Sequence, residues 1–139
     1  MKIGFVGMGK LGLPVAVAID AKGHDVVGTD VNPHVREYLE KRYTPFREEG
    51  LPPLLQKHNV GWRDTVKEVV AESDLIFVAV QTPHGPEYEG VTRLPEDRAD
   101  FDYTHLKNAV RTVAGACAEL KTRKTVAVIS TCLPGTFRR

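Results

Sequence analysis

The sequence is poor in cysteine, in aromatic residues and in excess charge of either sign. Two cysteines in 139 residues, fifteen positions apart, make neither a disulfide framework nor a zinc-ligand pattern. Lys and Arg number 19 against 18 Asp and Glu, a net charge of +1 that provides no basic field for nucleic acid or anionic lipid. The five histidines show no metal-ligand spacing on one helix or strand pair, so no metal site is read. The longest apolar runs, such as residues 75–80, fall far short of the roughly 18 residues that span a bilayer. Lys2 precedes an apolar stretch, but Lys10, four glycines and Pro14 interrupt it, and no export signal is read there. These absences lead to the expectation of a reduced, cytoplasmic domain with no membrane or nucleic-acid partner. The length suits one domain of roughly 100–150 residues.

What is present is an alternation of strands and helices. Residues 1–6 open with a short apolar strand, residues 7–12 form a turn, and residues 13–22 fit a helix closed by Gly23 in a left-handed conformation. Pro14 falls in the first turn of that helix, where its missing N–H costs little. A second strand covers residues 25–30 and an amphipathic helix residues 33–41. The prolines at 45, 52 and 53 break up residues 44–60, leaving a helical turn over 54–58. A helix over 66–72 runs into a strand over 75–80, and residues 81–102, rich in Pro, Gly and charge, read as a long solvated loop. Residues 103–120 form a long helix with Leu106, Ala109, Val110, Val113, Ala114 and Cys117 on its apolar face, and residues 125–129 the last strand. Several strands are continuously apolar, the mark of a parallel sheet covered on both faces. The expectation is an α/β, doubly wound, Rossmann-type parallel sheet in three layers, a single domain over residues 1–139.

Gly7, Gly9 and Gly12 form a G-x-G-x-x-G turn that directly follows a strand and opens a helix, the context that makes this pattern informative. Gly7 allows the tight turn, Gly9 lets backbone approach a pyrophosphate, and Gly12 lets helix and strand pack closely. With the intervening Met8, Lys10 and Leu11, they are the candidate phosphate-binding residues, set at the positive end of a helix dipole. Asp30 ends the second strand, 18 residues beyond Gly12, where a carboxylate accepts hydrogen bonds from the adenosine ribose of NAD and repels the 2′-phosphate of NADP. His34 and Arg36 follow closely, with charge that opposes this exclusion. The bland alternative is that the glycines only shape a turn and Asp30 only caps the next helix.

Four segments narrow the reading: Gly7-Met8-Gly9-Lys10-Leu11-Gly12-Leu13-Pro14, Phe46-Arg47-Glu48-Glu49-Gly50-Leu51-Pro52-Pro53-Leu54-Leu55, Val80-Gln81-Thr82-Pro83 and Ser130-Thr131-Cys132-Leu133-Pro134-Gly135-Thr136. In that order they resemble the N-terminal NAD-binding domain of the UDP-glucose/GDP-mannose dehydrogenase family. The resemblance implies oxidation of a nucleotide-sugar C6 hydroxyl to a carboxylate with two NAD, through a thiohemiacetal and a thioester on a cysteine. It further implies that Thr82 lies beside the dinucleotide, and that Thr131 lies near the nicotinamide and helps position catalytic water. Two departures stand out: Glu49 replaces the proline of the family's E-P-G-L, and Cys132-Leu133 replaces V-P in S-T-V-P-P-G.

In similar proteins the nucleophilic cysteine, its lysine and asparagine partners and most of the sugar pocket lie in a later domain. The sequence ends at Phe137-Arg138-Arg139, after the last recognisable motif, so the expectation is a cofactor domain cut from a longer enzyme, not competent alone. The parent is expected to be a homodimer and this piece a monomer. Cys132 beside Thr131 is a conceivable nucleophile, but neither His nor Lys neighbours it to lower its pKa, and a small apolar role suits it better. Cys117 reads as core. His84 is the histidine nearest the proposed site. Two other readings stay open here: the NAD-binding domain of a hydroxyacid dehydrogenase similar to 6-phosphogluconate dehydrogenase, and a non-catalytic NAD(H)-sensing module.

Overall fold

Strands that are apolar on both sides must be covered on both sides, and the chain achieves this with one parallel sheet between two groups of helices. The structure, a computed structural model, describes residues 1–91, 93 and 95–138. In chain order the elements are β1 (Lys2–Val6), α1 (Gly12–Asp20), β2 (Asp25–Thr29), α2 (His34–Lys41), α3 (Leu51–Lys57), β3 (Gly61–Trp62), α4 (Val66–Glu72), β4 (Leu75–Val78), α5 (Thr104–Glu119) and β5 (Thr125–Val128). The sheet order is β3-β2-β1-β4-β5, every neighbouring pair parallel. The chain therefore builds outward from β1 in one direction, then crosses back to lay β4 on its other side. That reversal opens a crevice between the carboxyl ends of β1 and β4, the place where open α/β sheets take ligands.

Alternate residues of β1 feed the two cores. Ile3 and Phe5 pack with α1, α2 and α3 through Leu13, Ala16, Val17, Val35, Leu39, Leu51 and Leu55. Val6 joins Ile76 and Val78 against α4 and α5, through Val70, Leu106, Val113 and Ala116. Each Val, Leu, Ile or Phe among them contributes about 1.5–3 kcal/mol on burial. The three-layer arrangement expected from the strand pattern is thus present.

The differences from the sequence reading have local causes. β3 was not anticipated: two residues carry no periodicity, and Gly61 and Trp62 are a strand only because they pair with Val27 and Gly28. Helix α3 begins at Leu51, not at 54, because Pro52 and Pro53 occupy its first turn, where a helix needs no N–H donors. Helix α1 ends at Asp20, and the left-handed Gly23 (φ +87°) follows in a turn beyond it. On α5, Leu106, Ala109, Val110, Val113 and Cys117 face the core as expected, but Ala114 is exposed and Ala116 is buried instead. Helix α4 matches its expected bounds, its start fixed by a reciprocal cap: the Glu68 N–H donates to Thr65 Oγ1, and the Thr65 N–H to Glu68 Oε2. The loop reading at Thr92 and Leu94, and the chain end at Arg139, lie outside the described residues.

Candidate functional site

The glycine turn is held by contacts that leave no choice of residue at two of its three glycines. Gly7 sits at φ +95°, and a Cβ there would lie 2.4 Å from the Ala79 carbonyl oxygen at the end of β4. A Cβ on Gly12 would lie 2.1 Å from the Gly7 carbonyl oxygen, so α1 approaches the turn only because Gly12 has none. Gly9 is different. Its φ lies outside the left-handed region, and a Cβ there would meet no atom within 4 Å. The fold does not require glycine at position 9; the open space in front of it is what a side chain would fill.

Above that space the first turn of α1 is unfinished. The Leu13 N–H donates to Gly9 O and the Val15 N–H to Leu11 O, while those of Gly9, Lys10, Leu11 and Gly12 find no acceptor among the described residues. Leu11, the residue before the helix, supplies no side-chain cap. Backbone donors grouped at a helix N-terminus suit an anion. Lys10 is exposed and Leu11 half-exposed beside them. Met8 differs from the others: its side chain is fully buried in the core against Gly28, so only its backbone belongs to the turn.

Asp30 ties the two halves of this site together. Its Oδ2 accepts from the Met8 N–H at 2.6 Å, and its Oδ1 from the Asn32 N–H at 2.8 Å. The carboxylate therefore braces the glycine turn as well as shaping the next one, and is half-buried with further lone pairs to offer. The helix cap considered from sequence is not formed: α2 has no side-chain cap at Pro33, and the bond from Asn32 shapes the turn before the helix. Arg36 is drawn away from it: the Arg36 guanidinium donates to Glu40 at 2.9 Å and lies 3.7 Å from Asp64, and these carboxylates raise its pKa. His34 faces Glu37 at 3.5 Å. The Arg36 guanidinium, read from sequence as opposing the exclusion of an added phosphate, is thus engaged by Glu40 and Asp64.

On the other side of the crevice, the ends of β4 and β5 are joined by side chains where the strand ladder stops. Ser130 Oγ accepts from the Val80 N–H at 3.0 Å and donates to Val80 O at 2.7 Å, continuing the pairing through a hydroxyl. Thr82 Oγ1 donates to Thr131 O at 2.8 Å, which brings the two candidate threonines together. The Thr131 hydroxyl has no hydrogen-bond partner among the described residues, and the residue is exposed. Sequence reasoning missed Ser130 as a clamp, since a lone serine after a strand carries no distinguishing signal. His84 is exposed, with Nδ1 3.0 Å from Gly85 O and its ring 5.9 Å from that of Phe101. Burial, and then the negative charge of Asp100, push the Cys132 thiol above its ordinary pKa, and the residue packs on the α4/α5 core. That environment suppresses the thiolate a nucleophile needs.

A concavity elsewhere, about 350 Å³ and lined by Arg36, Glu40, Arg42 and Trp62 among others, shares no residue with the glycine turn or the threonines. No helix among the described residues is long and apolar enough to cross a membrane. Nor does any group of three or more His, Cys, Asp or Glu among them stand ready to hold a metal ion.

Residues 1–139 match the UDP-glucose/GDP-mannose dehydrogenase family, NAD binding domain. The chain belongs to this family. It is 31% identical over 98% of its length to the GDP-mannose 6-dehydrogenase of Pseudomonas aeruginosa, and 34% identical over 98% to the putative UDP-glucose 6-dehydrogenase YtcA of Bacillus subtilis. The fold is similar to that of a GDP-mannose dehydrogenase from Pseudomonas aeruginosa solved as a ternary complex (TM-score 0.84, 30% identity, all of this chain and 30% of that one). It is similar also to a UDP-glucose dehydrogenase from Pyrobaculum islandicum (TM-score 0.82, 29% identity, 97% of this chain and 30% of that one). The chain spans about 30% of the length of the curated relatives it matches first. The family's NAD-binding domain is a three-layer parallel fold of the kind expected here, and the motif order that suggested it is carried by the glycine turn, the 46–55 segment and the ends of β4 and β5.

Proposed function

We propose that this chain is the NAD-binding part of a nucleotide-sugar 6-dehydrogenase, one that converts the sugar C6 hydroxyl to a carboxylate. The single observation that carries the reading is the open space at Gly9 in a run of four N–H groups without acceptors among the described residues, with the Asp30 carboxylate bonded to the adjoining Met8 N–H. In this reading the backbone of Gly7, Met8, Gly9, Lys10, Leu11 and Gly12 cradles the pyrophosphate, and Asp30 accepts from the adenosine ribose. When bound, NAD supplies the hydride acceptor for the oxidation; two are consumed per sugar.

Thr82 and Thr131 border the nicotinamide end. Thr131 offers its unpartnered hydroxyl to hold a water, which the later, hydrolytic stage requires. It is the one catalytic residue assigned to this chain. The sugar pocket and the cysteine nucleophile belong to parts of the parent outside residues 1–139, so these residues alone bind cofactor without oxidising sugar. The parent acts as a homodimer in the cytoplasm, the present chain as a monomer, and neither engages nucleic acid or membrane. Relatives of these names over nearly the whole chain support this reading above a hydroxyacid dehydrogenase or a sensing module.

The test is titration calorimetry of the chain with NAD, NADP and ADP-ribose. NAD and ADP-ribose should bind and NADP should bind at least tenfold more weakly, on the order of the 1.5–3 kcal/mol of one charged hydrogen bond. Equal affinity for NAD and NADP, or no binding of either, removes the role given to Asp30.

A further inference from the structure

The two threonines of the nicotinamide side are joined by a closed hydrogen-bond circuit that runs through a third segment, the start of α5. Thr82 Oγ1 donates to Thr131 O at 2.8 Å. The next residue, Pro83, accepts through its carbonyl from the Asp102 N–H at 2.7 Å. Tyr103 follows, and its phenol oxygen accepts from the Leu133 N–H at 3.1 Å, two residues past Thr131. Three segments far apart in sequence (82–83, 102–103 and 131–133) thus close on one another around the end of β5.

Tyr103 is built for this. Its ring packs on the core beneath α5 and β5, alongside Cys132, which fixes where the hydroxyl sits. The phenol hydrogen is committed elsewhere: it donates to Asp100 Oδ1 at 2.7 Å. Bonding to a carboxylate enriches the phenol oxygen in electron density and makes it a better acceptor for the Leu133 amide. Thr136 Oγ1 also approaches it, at 3.3 Å, but its one hydrogen goes to Leu133 O at 2.7 Å. After burial, the charge of Asp100 is what raises the Cys132 thiol pKa, in keeping with the carboxylate's place beside this loop.

We propose that Tyr103, oriented by Asp100, is a positioning residue that sets Thr131 and Thr82 against the nicotinamide half of the dinucleotide. The inference rests on the NAD-binding reading above and deepens it. It assigns the long 81–102 loop a purpose: to bring Asp100, Asp102 and Tyr103 back against the strand ends. A ligand that lacks nicotinamide does not reach this circuit and is indifferent to it.

The test is Tyr103→Phe, which keeps the ring and removes only the hydroxyl, measured with NADH and with ADP-ribose. NADH affinity should fall about three- to tenfold, the range for one lost hydrogen bond, with ADP-ribose affinity unchanged within twofold. Asp100→Ala, which leaves the phenol free to rotate, should weaken NADH in the same direction and by less. A purely structural role would weaken both ligands together, and no effect on either would remove the role of the hydroxyl; both results overturn the proposal. A wild-type chain that binds neither ligand overturns the NAD-binding reading itself, and the two failures are thereby told apart. Circular dichroism and the melting temperature of each variant establish that it is folded.

Discussion

The two sides of the crevice are made by different means. On the glycine-turn side, six residues are shaped by backbone contacts so tight that glycine is compulsory at positions 7 and 12, and one carboxylate locks the turn from 22 residues away. On the β4/β5 side nothing is compulsory in that sense: the strand ends are held by single hydroxyl groups of Ser130, Thr82 and Tyr103. The first side is fixed by what cannot fit, the second by bonds worth about 1 kcal/mol each. The glycine-turn side is therefore expected to be all-or-none under mutation and the β4/β5 side graded.

The largest effect expected is on folding. Gly12→Ala sets a methyl group 2.1 Å from the Gly7 carbonyl oxygen, and the backbone has to move. We expect a loss of about 3 kcal/mol or more, seen as a melting temperature lower by about 10 °C and a chain prone to precipitate. Gly9→Val breaks the comparison in the other direction. With no neighbour within 4 Å of the new Cβ, the melting temperature should stay within about 3 °C of the parent, while NAD affinity falls at least 100-fold. Loss of stability equal to that of Gly12→Ala would show that position 9 serves the fold after all.

Asp30→Ala falls between these. It removes the ribose acceptor and the partner of the Met8 N–H together, so affinity for ADP-ribose should drop about 10- to 100-fold, with a modest fall in melting temperature. Thr82→Val is expected to cost NADH a few-fold and ADP-ribose nothing, in keeping with one hydroxyl bond on the far side of the crevice.

The smallest effect concerns Cys132. Its pKa is raised by burial and by Asp100, so the thiol stays protonated at neutral pH, and its fraction of thiolate grows only as pH climbs past the ordinary cysteine range. Alkylation followed by mass spectrometry should therefore find Cys132 slower than a free thiol at pH 7, with the rate still rising above pH 9. Rapid modification at pH 7 would reopen a nucleophilic role.

The same contrast explains what could be read in advance. The glycine turn and Asp30 were legible because each is a local constraint: a strand, three missing side chains and a helix lie within twelve residues, and the carboxylate follows one crossover later. Apolar strands without alternation likewise announced a sheet covered on both faces. The edge strand at Gly61-Trp62 was hidden because it exists only through its partner strand, and the start of α3 because its two prolines resemble a break when they are a beginning. Met8 was grouped with its neighbours, yet its side chain turns into the core, which spacing within a turn does not reveal. Tyr103 and Ser130 went unnoticed for a deeper reason. Their partners lie 30 and 50 residues away in sequence, and no local pattern announces a hydrogen bond of that span.

The most direct measurement is an amide-resolved NMR titration of the chain with NAD. Because the amides of Gly9, Lys10, Leu11 and Gly12 lack acceptors among the described residues, they should show the largest shifts in the spectrum, with those of Met8 and Asn32 following through Asp30. Shifts concentrated instead around Arg36, Arg42 and Trp62, with the glycine turn silent, would contradict the account.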